Sequence, residues 1–269
     1  MVTKDSSTIE TIYDTIDSFD LLNLKSDLLK GIYGNNSLYY FIINSQEYGF
    51  EKPSIAQSRG ILLILQRKDT IITADAQTGK TSTLAISLLQ IIDSDISQCQ
   101  AIIFESSREI SNETRDLIKD LGNYLNVKVH TCTGGTKIMD DTTKLQEEGI
   151  QLIIGTPGRI QDLLMKGTIK TEYLKLVAFD DIDRILDTGF KEQIYEILKE
   201  KIGAANIVLT TSANSPEILD LVKKFMKNPV NVRAKYPELT LDGVKQYFVQ
   251  VEKDECKFDT LLEILENIG

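Results

Sequence analysis

From residue 69 onward, short runs rich in Ile and Val alternate with longer stretches whose apolar residues recur every three to four positions. The runs are DTIITA (69–74), AIIFES (101–106), VKVHTC (127–132), IQLIIGTP (150–157), KLVAFD (175–180), NIVLTTS (206–212) and VNVRA (230–234). Several are apolar throughout rather than alternating, which suits strands buried on both faces of a parallel sheet. Residues 81–92, 109–125 and 216–226 carry the helical period. Strand, helix, strand, helix predicts a doubly wound α/β domain, in which ligands gather at the carboxyl ends of the strands.

Two stretches stand outside this pattern. A further strand, VKQYFVQV (244–251), and a helix, CKFDTLLEILENI (256–268), follow the last run. A lone strand and helix bury little, so they read as the start of a second unit. The other is NNSLYYFIINSQE (35–47), an apolar centre bracketed by Asn, which fits either an edge strand or an aggregation-prone loop.

Composition narrows the chemistry. The chain has 269 residues, 42% of them hydrophobic, enough for a sizeable core. No run of eighteen apolar residues or signal-peptide pattern is present, so a soluble intracellular protein without membrane contact is expected. Cys99, Cys132 and Cys256 are widely spaced and read as reduced structural thiols. His130 is the single histidine and reads as a strand residue. Thirty basic against forty acidic residues give a net charge of −10, which argues against a broad basic face for nucleic acid. Any such contact has to be local.

The first run ends in ADAQTGKT (74–81) and leads into a helix. Gly79, Lys80 and Thr81 match the end of a phosphate-binding loop: Lys80 reaches the β and γ phosphates, and the Thr81 hydroxyl holds Mg²⁺. Backbone N–H groups and a positive helix end supply the rest of such a cradle. Ala74 and Gln77 stand where glycines are common in that motif. A loop of this kind calls for a later buried strand ending in a metal-holding Asp, and LVAFD ends at Asp180.

Further motifs follow in order: GFEKPSIAQ (49–57), SSREIS (106–111), TGGT (133–136), TPGR (156–159) and SAN (212–214). From Phe19 to the last residue the chain resembles the first RecA-like domain of the DEAD-box RNA helicases, most of all the translation initiation factor 4A group. The resemblance implies ATP and Mg²⁺ as cofactors. It implies an adenine-reading Gln57 with Phe19 as the stacking aromatic, and a nucleotide loop of Ala74, Asp75, Ala76, Gln77, Thr78, Gly79, Lys80 and Thr81. Thr81 and Asp180 would hold the metal, and Lys80, Asp180 and Asp181 would carry catalysis. Ser107, Arg108, Gly134, Gly135, Thr156, Gly158 and Arg159 would hold the RNA backbone, and Asp183, Ser212 and Asn214 would couple the domains. Read alone, Gly134-Gly135 also fits a turn and TPGR a helix start. The implied setting is a cytoplasmic monomer, with the nucleus as alternative, acting on RNA and on a translation-initiation scaffold protein. The expected division is an N-terminal segment (1–48) carrying the insertion 35–47, a RecA-like ATP-binding domain (49–235), a linker (236–243) and a truncated second RecA-like domain (244–269). Removing 35–47 restores the family's GIYGYGFEKPS, which points to a translated short intron.

The motifs also depart from the family. Its D-E-A-D is here Asp180, Asp181, Ile182, Asp183, and Asp181 is one methylene shorter than the Glu that orients the attacking water. A misplacement of about 1 Å can cost around a hundredfold, so weak hydrolysis is expected. Ser106, Ala56 and Asn214 are further substitutions. In this family a second domain brings arginine fingers, worth roughly 10³–10⁵ in rate, so the chain alone is expected to turn over ATP negligibly. Three readings stay open at this point: a helicase's nucleotide-binding half, a non-catalytic nucleotide- or RNA-binding or scaffold-competing module, and a decayed fragment.

Overall fold

The computed structural model describes residues 16–34, 52–200, 202–213, 215–234, 249, 251, 253 and 256–268. The chain divides into two compact units, Met1–Lys235 and Tyr236–Gly269.

In the first unit each predicted run forms a strand: β1 (Thr70–Ala74), β2 (Ala101–Phe104), β3 (Val129–Cys132), β4 (Leu152–Gly155), β5 (Leu176–Phe179), β6 (Asn206–Thr211) and β7 (Val230–Ala234). They make one seven-stranded sheet in the order β3-β4-β2-β5-β6-β1-β7. Every pairing is parallel, so all the strands end at the same edge. This agrees with the expected RecA-like α/β fold.

Among the described residues of this unit the α-helices are α1 (Ser26–Gly34), α2 (Ile55–Leu65), α3 (Lys80–Ile91), α4 (Arg108–Leu121), α5 (Ile138–Glu147), α6 (Pro157–Met165), α7 (Ile182–Asp187), α8 (Lys191–Glu200) and α9 (Pro216–Phe225). Alternate strand residues explain how they are laid out. Ile72, Ile103, Ile154, Ala178 and Val208 point to one face and pack under α1, α2, α3 and α4. Ile71, Ile102, Ile153, Val177 and Ile207 point to the other and pack under α6, α7, α8 and α9. Apolar residues at consecutive positions are therefore needed, because both faces of the sheet are covered.

Several helix starts are written locally. Ser54 and Gln57 form a reciprocal capping box at α2, Ser107 caps α4 through Ile110 N, and Ser215 caps α9 ahead of Pro216. At the opposite edge of the sheet Asp69, 6% exposed, accepts from Ile207 N (2.9 Å) and Lys227 N (2.7 Å), tying the start of β1 to β6 and to the turn before β7.

The described part of the second unit contains α10 (Lys257–Ile268). Phe258, Leu261, Leu262 and Leu265 form an exposed stripe on it. The expected strand 244–251 and the stretch 35–47 lie wholly or mostly outside the described residues.

Phe104 and Phe179, neighbours on β2 and β5, are fully buried and stacked with centroids 4.7 Å apart at 11°. Phe179→Ala is expected to cost about 3–5 kcal/mol in urea unfolding, since the sheet edge leaves little room to close the cavity.

Candidate functional site

The parallel sheet brings the carboxyl ends of β1, β5 and β6 side by side, and the charged residues of the sequence meet there. Asp180, the first residue past β5, is 5% exposed. One of its carboxylate oxygens accepts from Thr81 Oγ1 in the first turn of α3. The other accepts from Thr210 Oγ1 on β6 at 2.5 Å. Thr210 Oγ1 also takes the Asp181 backbone N–H at 2.8 Å. A buried carboxylate needs such donors, because the desolvation of an unpaired one costs several kcal/mol. Burial raises the Asp180 carboxyl above its ordinary value, the two hydroxyl donors oppose that rise, and neighbouring Asp181 adds to it.

Lys80 is 6% exposed. Its ammonium donates to Ala74 O at 3.0 Å and lies 2.8 Å from Asp181 Oδ1. Asp181 is the residue just before α7 and adopts φ 47°, ψ 62°, in the left-handed region. The ion pair with Lys80 and a longer contact to Arg184 Nε (3.7 Å) hold its side chain against the loop.

Loop residues Asp75, Ala76 and Gln77 are exposed, while Thr78 donates to Asp75 O at 2.8 Å. Gly79 has φ 88°, and a Cβ there would lie 2.8 Å from Gln57 Nε2, so only glycine fits. Gln77 has φ 64° without being glycine, a conformation costing roughly 1–2 kcal/mol for an L-residue. The structure thus gives a reason for the glycine that is common at this position.

Gln57 is 6% exposed, and both ends of its amide are engaged. Oε1 accepts from Ser54 N at 2.8 Å, and Nε2 donates to Ser82 Oγ at 2.9 Å. Ser54 Oγ in turn donates to Thr78 O at 2.9 Å. The residue expected to read adenine therefore also braces the loop. Phe19 is fully buried, edge-on to Tyr33 at 6.4 Å, so the expected stacking ring presents no open face.

The residues expected to hold RNA cluster around the ends of β2, β3 and β4. Ser107 caps α4 and Arg108 is exposed beside it. A Cβ on Gly135 would lie 3.7 Å from Arg108 Nη1, while Gly134 faces open space. Thr156 starts α6, and Gly158 sits near Phe190. Arg159 is already partnered: Nη1 donates to Thr136 Oγ1 (3.0 Å) and to Asp141, and Nη2 donates to Thr136 O (2.6 Å). Asp183 accepts from Ser212 Oγ at 2.7 Å across β5 and β6. Asn214 lies outside the described residues.

Sequence reasoning did not single out Thr210, Ser54, Ser82, Asp141 or Glu105. The polar pair Thr210-Thr211 closing an otherwise apolar run was the one available signal. Glu105, just past β2, is 2% exposed and accepts from Thr114 Oγ1 at 2.7 Å.

Residues 54–221 match the DEAD/DEAH box helicase family model. The chain belongs to that family. It is 40% identical over 261 residues to ATP-dependent RNA helicase eIF4A of Pyricularia oryzae, covering 97% of this chain and 62% of the relative. It is 41% identical over 251 residues to ATP-dependent RNA helicase FAL1 of Scheffersomyces stipitis, covering 93% and 59%. The chain therefore spans about three fifths of the length of these relatives. Among solved structures it is similar to a DEAD box protein from the hyperthermophile Methanococcus jannaschii, with TM-score 0.73, 28% identity, and coverage of 94% of this chain and 64% of that one. Among the described residues no helix is long and apolar enough to cross a membrane.

Glu105 has a pH consequence. Burial, and then the neighbouring Asp180, push its carboxyl well above the ordinary value. The unfolded chain releases that proton near pH 4.3 while the folded chain keeps it, so stability is lost as pH rises from there through the raised folded value. Glu105→Gln, which still accepts from Thr114, is expected to be more stable than the parent in urea by a margin that grows as pH rises above the ordinary carboxylate range. Parallel profiles would contradict this.

Proposed function

We propose that this chain is the nucleotide-binding part of an ATP-dependent RNA helicase of the initiation factor 4A type. The observation that carries the reading is the junction of Lys80, Thr81, Asp180 and Thr210, where a phosphate-loop cation and a metal-type carboxylate meet at one sheet edge. A magnesium nucleotide fits these residues: Thr81 and Asp180 offer oxygens to the hard cation, and the buried ammonium of Lys80 lies at the start of α3. Bound Mg²⁺ would supply charge neutralisation between phosphates.

The chain's own residues do the rest. Thr210 keeps Asp180 oriented and fixes the backbone of Asp181. Lys80 exchanges Asp181 for phosphate when the loop is filled, which frees the Asp181 carboxylate. Gln57 holds Ser82, whose hydroxyl donates to Gly79 O, so base recognition and loop shape share one side chain. RNA is held locally by Ser107, Arg108 and the Gly134-Gly135 turn, with Thr156 and Gly158 at the start of α6. Arg159 joins only by leaving Asp141 or by acting through its remaining N–H groups. Asp183 with Ser212, and Asn214 beyond, couples this edge to a second RecA-like domain. The setting is the cytoplasm, with RNA and a translation-initiation scaffold protein as partners.

Hydrolysis by the chain alone is slow in this reading. Asp181 is short, held by Lys80 and fixed in a left-handed backbone. The same observations favour a second reading, a non-catalytic module that binds nucleotide or RNA or competes for a helicase's scaffold.

RNA-stimulated ATP hydrolysis separates the two. The purified chain is expected to turn over well below a two-domain helicase, and Asp181→Glu combined with Gln77→Gly to raise its rate by about tenfold or more. Saturable Mg-ATP binding that Lys80→Ala removes, with no turnover in either form, would favour the module. Turnover at a full helicase's rate by the unmodified chain would refute the weakness of Asp181.

A further inference from the structure

The only histidine does more than fill a strand. His130 and Cys132 are two positions apart on β3, so both side chains leave the same face. Asp141, in the first turn of α5, lies over that face. A ring nitrogen of His130, Sγ of Cys132 and a carboxylate oxygen of Asp141 all lie within 4.8 Å of one another. His130 Nε2 is 2.9 Å from Asp141 Oδ1. Cys132 is 0% exposed and Asp141 3%, whereas the His130 side chain keeps 13% of its surface and so gives the cluster an opening to solvent.

We propose that His130, Cys132 and Asp141 form a binding site for a borderline-soft divalent cation of the Zn²⁺ class. Imidazole nitrogen, thiolate and carboxylate are the three ligand types such a cation takes, at about 2.0–2.3 Å. Those bond lengths put tetrahedral ligand atoms roughly 3–4 Å apart, so the cluster needs side-chain rotations and no backbone rearrangement. Two ligands from a strand and one from the adjoining helix turn form a chelate on rigid elements. Arg159 binds the second oxygen of Asp141, which orients the carboxylate as outer partners do in metal sites. One thiolate and one carboxylate neutralise the dication, and the fourth position is left for water.

No electron is transferred on binding. The Cys132 S–H bond breaks, its proton leaves to solvent and a metal–sulfur bond forms. The His130 proton shifts to Nδ1, Nε2 binds the metal, and the hydrogen bond to Asp141 is replaced. Because binding displaces the thiol proton, the cation competes with that proton and affinity climbs with pH. The site stands apart from the nucleotide reading and does not depend on it.

Cobalt(II) is the probe, titrated into the full chain carrying Cys256→Ser to remove the exposed thiol. Saturable binding of one equivalent is expected, with a thiolate-to-cobalt charge-transfer band and the visible bands of tetrahedral cobalt, all displaced by Zn²⁺. Cys132→Ser is expected to abolish the charge-transfer band, and His130→Asn to weaken binding by about tenfold or more. Absence of the band, or a band that persists in Cys132→Ser, overturns the proposal. If Cys132→Ser fails to fold, unchanged affinity in His130→Asn overturns it instead.

Discussion

Much of the arrangement depends on keeping one buried carboxylate hydrogen-bonded. Asp180 has almost no contact with solvent and takes a hydroxyl from each side, Thr81 from α3 and Thr210 from β6. Without those donors the carboxylate would be too costly to bury in ionised form. Satisfying it ties the ends of β5 and β6 to the start of α3, where Lys80 lies beside Asp181 and Ser212 beside Asp183. The loop, the metal-type acid and the Ser212–Asp183 contact thus meet around one local requirement.

The departures from the family gather on the same edge. Gln77 and Asp181 both hold left-handed backbone without being glycine, and Asp181 gives its side chain to Lys80. Glu105 adds a third carboxyl near Asp180, and burial raises it well above its ordinary value. The edge therefore carries strain and excess acidity while the sheet behind it is fully packed. Where Ser107, Arg108 and Arg159 gather, an acidic chain leaves Arg108 exposed and keeps Arg159 bound to Asp141.

The fold was legible because a sheet covered on both faces needs unbroken apolar runs, and all seven runs became strands, most of them shorter at one or both ends. Runs such as IQLIIGTP overshoot because their last residues already belong to the turn that starts α6. The site was legible where chemistry lies in consecutive residues, as in GKT and LVAFD. It was not legible where partners are distant in sequence: Thr210 is 30 residues from Asp180, and Ser82 is 25 from Gln57. The burial of Phe19 and the pairing of Arg159 arise from packing that no motif records. His130 read as an ordinary strand residue because Asp141 is eleven positions away on another element.

The proposed role of Asp180 is to anchor Mg²⁺ for a nucleotide held by Lys80. It is tested most directly by titrating a fluorescent ATP analogue with and without Mg²⁺, using the parent chain and Asp180→Asn. Mg²⁺ is expected to tighten binding by about tenfold or more in the parent and to have little effect in Asp180→Asn, with similar metal-free affinities. Metal-independent binding by the parent, or a full Mg²⁺ response in Asp180→Asn, would contradict it.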